Sequence, residues 1–444
     1  MPALDVTCDT PRVNTTSMDE NERYRAAAQI LHDAAKPLRV LSMLNWPASI
    51  RDEFLAAGGK EMPTTPEYPT TDPAVALDGV AAARRLLRPG AIVDNWLDGE
   101  ARAIESTALM MSSVGTAALH VYSRQLYGVP TQPLRFDPTT PMGLAAQVHQ
   151  AIADLTDVNL LIPAQRDRTG EEVAAELRAA VDIHFGEAAP EIQVVDELSA
   201  NAVASASRIK VRRDARFTRR DAAQLLNHEA FIHVATALNG RAQTDLPILA
   251  IGHPGTTRTQ EGLAVFSEFV SGTLELDRLR RLADRVVAVQ MACEGADFLE
   301  VYRWFLDRSP GPEQAFESTR RIFRGAPLTG GSPFTKDCGY LSGLLGVLTL
   351  VRAAFLARRS DVIGLLFAGK LDMSAIPALA ELRSRGLCQP ARFVPPWALD
   401  PGWVLTYLTL STFMAAIDLD AVAGAIGEIL DRCPKVEIRI PSTN

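Results

Sequence analysis

Between Pro190 and Gly240 the period of the chain changes, and this change constrains the fold more than any other feature. Residues 191–198 (EIQVVDEL) and 207–212 (SRIKVR) alternate apolar and polar side chains, as half-buried strands do. Ala222, Leu225, Leu226, Ala230, Val234, Ala237 and Leu238 then recur at helical spacing. Thr218 stands where a helix N-cap belongs, with Asp221 three residues on in the capping-box position. Asn239-Gly240, which tolerates a left-handed cap, closes the segment. Strands therefore feed one long, capped helix, and His228-Glu229-Ala230-Phe231-Ile232-His233 lies inside that helix.

Elsewhere the pattern is helical. A polar tail over 1–20 precedes a helix from about Glu22 to Ala35, and residues 38–44 (LRVLSML) form a short apolar run with the character of a strand. Residues 62–73 hold four prolines among threonines and read as an extended loop. Helical spacing follows from Pro73 to His120, broken at Pro89-Gly90. His32, His120 and His149 read as packed or solvated, without chemistry. Beyond Pro254-Gly255 a second long helix is expected from about Thr259, with further helices to Leu306 and a turn at Gly330-Gly331-Ser332-Pro333. The fold class is α+β, mainly helical, with a small sheet. The expected divisions are a tail and leading helix over 1–35, a helical N-terminal lobe over 36–185, and a catalytic lobe over 186–444.

Composition narrows the function classes. A chain of 444 residues, 47% hydrophobic and 22% charged, can bury substantial cores. Its formal charge of -8 and pI near 5.5 argue against a nucleic-acid partner. Five scattered cysteines with no CxxC pair argue against a cysteine-held structural zinc. The N-terminus has no basic segment leading into an apolar one, so the expected setting is the reducing cytoplasm. One stretch, 339–357, has membrane-like hydrophobicity. Arg352 interrupts it, and it reads as a helix buried in the protein, without a membrane partner.

The histidines of the helix are five apart, not four. At about 100° per residue, four residues return to within about 40° of the start, whereas five overshoot to about 140°. A regular α-helix would point the two rings apart. A one-residue π-bulge near residues 230–232 would bring both onto one face, and such bulges concentrate at functional sites. Two imidazoles on one element, an adjacent carboxylate, a remote third ligand and a preceding strand are what a zincin-like metallopeptidase core requires. Glu229 lies on the apolar face, where an unpaired carboxylate is costly. For the third ligand, Glu261 and Glu268 on the second helix are seven apart and share a face; spacing leaves both open.

HEAFIH followed by TQEGLA resembles the bacterial QEGLA-motif proteins, described as flavohaemoglobin-expression modulators. It is also similar to the eukaryotic microtubule-associated tyrosine carboxypeptidases, which share that catalytic core. Trp46-Pro47, Tyr127-Gly128 with Pro130, 321–325 (RIFRG), 333–337 (PFTKD) with Tyr340, and 366–370 (LFAGK) resemble further family landmarks, so the likeness covers roughly residues 36–440. The resemblance implies one zinc per chain, with His228 and His233 as ligands, Glu261 rather than Glu268 as the third, and Glu229 as the general base.

The expected activity is that of a zinc-dependent carboxypeptidase acting on a peptide or protein C-terminus. Glu229 would take a proton from the attacking water and return it to the leaving amine. Tyr340 is the candidate oxyanion donor. Arg321, Arg324 and Lys336 are the candidates for a terminal carboxylate, whereas Arg320 would face elsewhere on its helix. The rival readings are a non-catalytic metal-binding regulatory protein and a metallohydrolase of non-peptide substrates.

Overall fold

A computed structural model describes residues 18–134, 137–156, 166–196, 198 and 201–414, with 426 and 432. The polar tail lies outside the described residues as far as residue 17. Chain contacts divide the protein into Met1–Leu399 and Asp400–Asn444. In the second unit the described element is the helix Gly402–Met414.

The first unit is mainly helical and holds one small sheet, so the chain is α+β. Strands β1 (Glu191–Val195), β2 (Ala202–Ala204) and β3 (Arg208–Arg212) run in the order β1-β3-β2. β1 lies parallel to β3, with Ile192 opposite Ile209, and β2 lies antiparallel to it, with Val203 opposite Lys210. β2 has too few residues to show a period-two pattern, so its alternation carried no signal. The sheet's apolar face (Ile192, Ile209, Val211) packs with Val173, Leu177 and Phe185 of the helix Gly170–Phe185. Leu225, Phe231 and Val234 of the histidine-bearing helix join the same core.

Three expectations are corrected. Asn239-Gly240 does not close the histidine-bearing helix, which runs on to Arg241; Gly240 serves close packing, since a Cβ there would stand 2.1 Å from Leu249 O. Residues 38–44 contain the short helix Val40–Met43 instead of a strand. Val40 and Leu44, four apart, are buried while Leu41 faces out, which is helical spacing too short to recognise as such. The second long helix is Pro254–Val270, opening five residues before Thr259. Pro254 occupies its first turn, where a missing N–H costs nothing. Gly255 resembles a breaker, but a Cβ there would stand 2.7 Å from the Ala103 Cβ, so it serves close packing. Glu261 consequently sits mid-helix, not in the first turn, and is no dipole-favoured terminal glutamate.

The proline-rich stretch 62–73 has neither helix nor strand until the helix Ala74–Leu86 begins. It is anchored all the same: the Tyr68 hydroxyl accepts from Trp46 Nε1 and from the Gly325 amide, each at 2.8 Å. Trp46 in turn stacks on Phe298 in a core with Phe54, Phe316 and Phe323.

The apolar stretch near 339–357 forms the helix Gly339–Leu356. Lys336–Leu356 is long and apolar enough to cross a membrane by length and composition, and half of it is buried inside the chain. It crosses the helix Pro254–Val270 at two glycines. A Cβ on Gly262 would fall 2.1 Å from the Gly343 carbonyl carbon, and one on Gly343 would fall 2.1 Å from the Arg258 carbonyl oxygen. The residue after Glu261 must therefore be glycine for the two helices to meet as they do.

Candidate metal centre

The expected reciprocal bonds lie at the entry to the helix that bears the histidines, which begins at Asp221: the Thr218 amide donates to Asp221 Oδ2 (2.7 Å) and the Asp221 amide to Thr218 Oγ1 (3.2 Å). It runs as α-helix over Asp221–Leu225, as π-helix over Leu226–Val234, and as α-helix again over Ala235–Arg241. The widening required by the five-residue spacing is present and longer than a single bulge near 230–232. Closing the turn with i→i+5 bonds puts more residues into each turn than an α-helix has, so His228 and His233 come round to one face. Their ring centroids are 4.9 Å apart.

Glu261 reaches this face from the neighbouring helix. Its Oε2 lies 3.6 Å from His228 Nε2 and 3.7 Å from His233 Nε2. One ligand atom from each of the three residues falls within 4.8 Å of the others. Metal–ligand bonds of about 2.0–2.1 Å in a tetrahedron put neighbouring ligand atoms about 3.3–3.4 Å apart. Glu261 Oε2 thus stands a few tenths of an ångström farther from each imidazole than a zinc ion would draw it. Two imidazoles and one carboxylate, with a fourth position left open, form a donor set that fits zinc of the catalytic type.

Glu268, the other candidate ligand, takes a different place. Fully buried, it meets His228 Nδ1 at 2.6 Å through Oε1. It thereby fixes the ring so that Nε2 faces Glu261, as carboxylates behind metal-bound histidines do. Burial alone would raise the Glu268 carboxyl, but Arg278, 3.4 Å away, and His228 hold it down at about 2. Burial opposes charge on His228, yet Glu261 and Glu268 raise it to about 10. Burial lowers His233. A cation entering the site therefore displaces a proton.

Glu229 is half-buried, and among the described residues its side chain has no hydrogen bond or ion pair. It adjoins His228 in the chain. Burial pushes the Lys370 amine down to about 8, opposed by Glu261 and Glu229.

On the far side of Glu261 lies a cluster of cations. Lys336 Nζ bonds Glu261 Oε1 at 3.0 Å, leaving Oε2 for the histidines. The Tyr340 oxygen accepts from Lys336 Nζ (3.3 Å) and Arg321 Nη2 (3.2 Å), so its own O–H is left to donate elsewhere. Arg321 grips Asp337 through Nε and Nη2, at 2.7 and 2.8 Å. Arg285 lies 3.8 Å from the same carboxylate. Of the three cations expected to receive a terminal carboxylate, Lys336 and Arg321 thus already hold carboxylates of the protein. Arg324 does not: its buried Nε has no hydrogen-bond partner, and burial, with Arg321 and Arg320 nearby, pushes it down to about 9. Arg320 turns aside to Glu317 on its own helix.

Sequence reasoning missed Arg278, and it held Asp337 and Lys370 only as members of the PFTKD and LFAGK strings, with no role. It had Glu268 in hand, but as a competitor of Glu261 and not as the support of His228.

No curated protein matches the chain. The model of the family described as microtubule-associated tyrosine carboxypeptidase matches residues 52–416, a span that contains every site residue above. The chain belongs to the microtubule-associated tyrosine carboxypeptidase family.

Proposed function

We propose that this protein is a zinc-dependent carboxypeptidase that removes residues from a peptide or protein C-terminus. Its family is named for a carboxypeptidase, and the observation that carries the metal part is the convergence of His228, His233 and Glu261 within 4.8 Å. Bound there, zinc would polarise the scissile carbonyl and bring the pKa of a water from about 15.7 toward about 7.

The chain's own residues supply the rest. Glu229, half-buried beside His228 and without a hydrogen bond among the described residues, accepts the proton of the attacking water and returns it to the departing amine. A pure binding module has no use for such a carboxylate, which favours the enzyme over the regulator. Tyr340, its oxygen already accepting from two cations, donates its O–H to the developing oxyanion. Arg324 is the cation still free to receive the substrate's terminal carboxylate, with Lys336 and Arg321 contributing field rather than contact. β2, the edge strand of the sheet beside the histidine-bearing helix, offers a backbone edge to an extended peptide.

A library of peptides with defined C-termini, incubated with the purified protein and read by mass spectrometry, tests this function. Loss of single C-terminal residues is expected. Internal cuts would make it an endopeptidase, and intact peptides throughout would leave the regulator.

A further inference from the structure

The segment 366–370 (LFAGK) contributes no metal ligand, yet it is tied to both helices that do. Asn239 Nδ2 donates to the Phe367 carbonyl (2.8 Å) and Gln243 Nε2 to that of Ala368 (3.3 Å). Gln260, the neighbour of Glu261, donates to the Gly369 carbonyl (3.4 Å), and the Lys370 amide donates to Leu249 O (2.7 Å). Gly369 has no room for a side chain, since a Cβ would stand 2.5 Å from Leu249 O. The backbone of Lys370 is therefore placed with little freedom.

From that position Lys370 Nζ reaches the backbone carbonyl of His233 at 2.9 Å. Among the described residues it has no carboxylate partner within ion-pair distance. The carbonyl belongs to the π-helical stretch, where the regular i→i+4 series is interrupted, and the Thr236 hydroxyl also approaches it at 3.5 Å. The preceding carbonyl, Ile232, takes the Thr236 hydroxyl at 2.6 Å, and Thr236 Oγ1 also lies 2.9 Å from Gln260 Oε1. Two successive carbonyls at the end of the widened turn thus face side-chain donors, and the second donor is a charged one, the stronger kind.

We infer that Lys370 is a positioning residue that caps the His233 carbonyl, holds the helix in its widened form, and so sets the direction of the His233 imidazole. The effect on zinc rests on the metal-centre reading above; the effect on the helix does not. Without the cap, the turn regains the freedom to relax toward α-helical spacing, which would swing His233 away from His228.

The test compares the parent with Lys370→Met, which keeps the apolar stem and removes the donor, and Lys370→Arg, which keeps a cationic donor. Lys370→Gln, a shorter neutral donor, should fall between them. Hydrogen–deuterium exchange of metal-free protein, read on peptides spanning 226–241, is expected to quicken about ten- to hundred-fold in Lys370→Met, the equivalent of one charge-assisted bond. Lys370→Arg should restore slow exchange. Zinc affinity, measured by competition with a chromophoric chelator, should weaken in Lys370→Met by a similar factor and recover with arginine. Unchanged exchange over 226–241 in Lys370→Met overturns the inference. If the parent binds zinc and Lys370→Met exchanges and binds as the parent does, the positioning role falls while the metal centre stands. If exchange quickens but even the parent binds no zinc, the positioning role stands and the metal centre falls.

Discussion

The two sides of Glu261 are built on different principles. On the histidine side, each group that faces the open position is supported by one partner behind it: Glu268 behind His228, Lys370 on the backbone of His233, Lys336 on the second oxygen of Glu261. On the cation side, Arg321, Arg285, Lys336 and Arg324 crowd around Asp337 and Tyr340 with fewer anions than cations. The first arrangement orients donors. The second maintains a positive field, and its bidentate pair, Arg321 with Asp337, holds the cluster together. If this contrast is right, substitutions on the two sides should fail in different ways, one through metal and chemistry, the other through stability and substrate affinity.

The largest difference is expected at Glu229. Glu229→Gln should retain zinc and fold stability but lose about 10²- to 10⁴-fold in kcat on a cleaved peptide. Activity equal to the parent would remove Glu229 from the mechanism. On the other side, Arg321→Met leaves Asp337 buried without its bidentate partner and should cost about 3 kcal/mol in chemical denaturation. Zinc affinity should change little by comparison. A large loss of zinc with unchanged stability would erase the distinction between the two sides.

The same contrast explains what could be read from the amino-acid sequence. His228, Glu229 and His233 were legible because a cap, a period and a spacing lie within one helix, and the five-residue spacing itself demanded the widened turn. Its extent over nine residues was not legible, because interrupting the hydrogen-bond series spreads to neighbouring turns. Glu261 and Glu268 were both visible on one face, but which of them touches the open position depends on how two helices cross at Gly262 and Gly343. Family resemblance chose Glu261, and the separate role of Glu268 emerged with the geometry. The start of that helix was misplaced because Pro254-Gly255 resembles a turn. On the cation side nothing in the residues told Arg321 from Arg324. The difference is made by Asp337, presented by a short 3₁₀ turn, Lys336–Cys338, whose orientation depends on tertiary packing. Lys370 lies 137 residues from the carbonyl it caps, beyond any local pattern.

Smaller effects sharpen the picture. Glu268→Gln should weaken zinc by about 10- to 100-fold, the usual cost of losing the carboxylate behind a metal-bound histidine. It should also alter acid stability. The Glu268 carboxyl is held at about 2 in the folded chain against an ordinary 4.5. Its charged form therefore contributes stability above about pH 4.5, and that contribution is lost as pH falls toward 2. In metal-free Glu268→Gln the stability curve should be flatter over that interval, as followed by circular dichroism. Smallest of all, Arg324→Met should raise KM about tenfold with kcat nearly unchanged, since it removes a contact to the substrate's carboxylate made equally before and during reaction. A fall in kcat with constant KM would instead place Arg324 at the reacting carbonyl.

The claim beneath all of these is that His228, His233 and Glu261 hold one metal ion together. Elemental analysis of protein purified without chelators measures it directly. About one zinc per chain, lost in His228→Ala while the helical circular dichroism is retained, is the expected result. A correctly folded parent protein that takes up no zinc even when it is supplied in excess would contradict it.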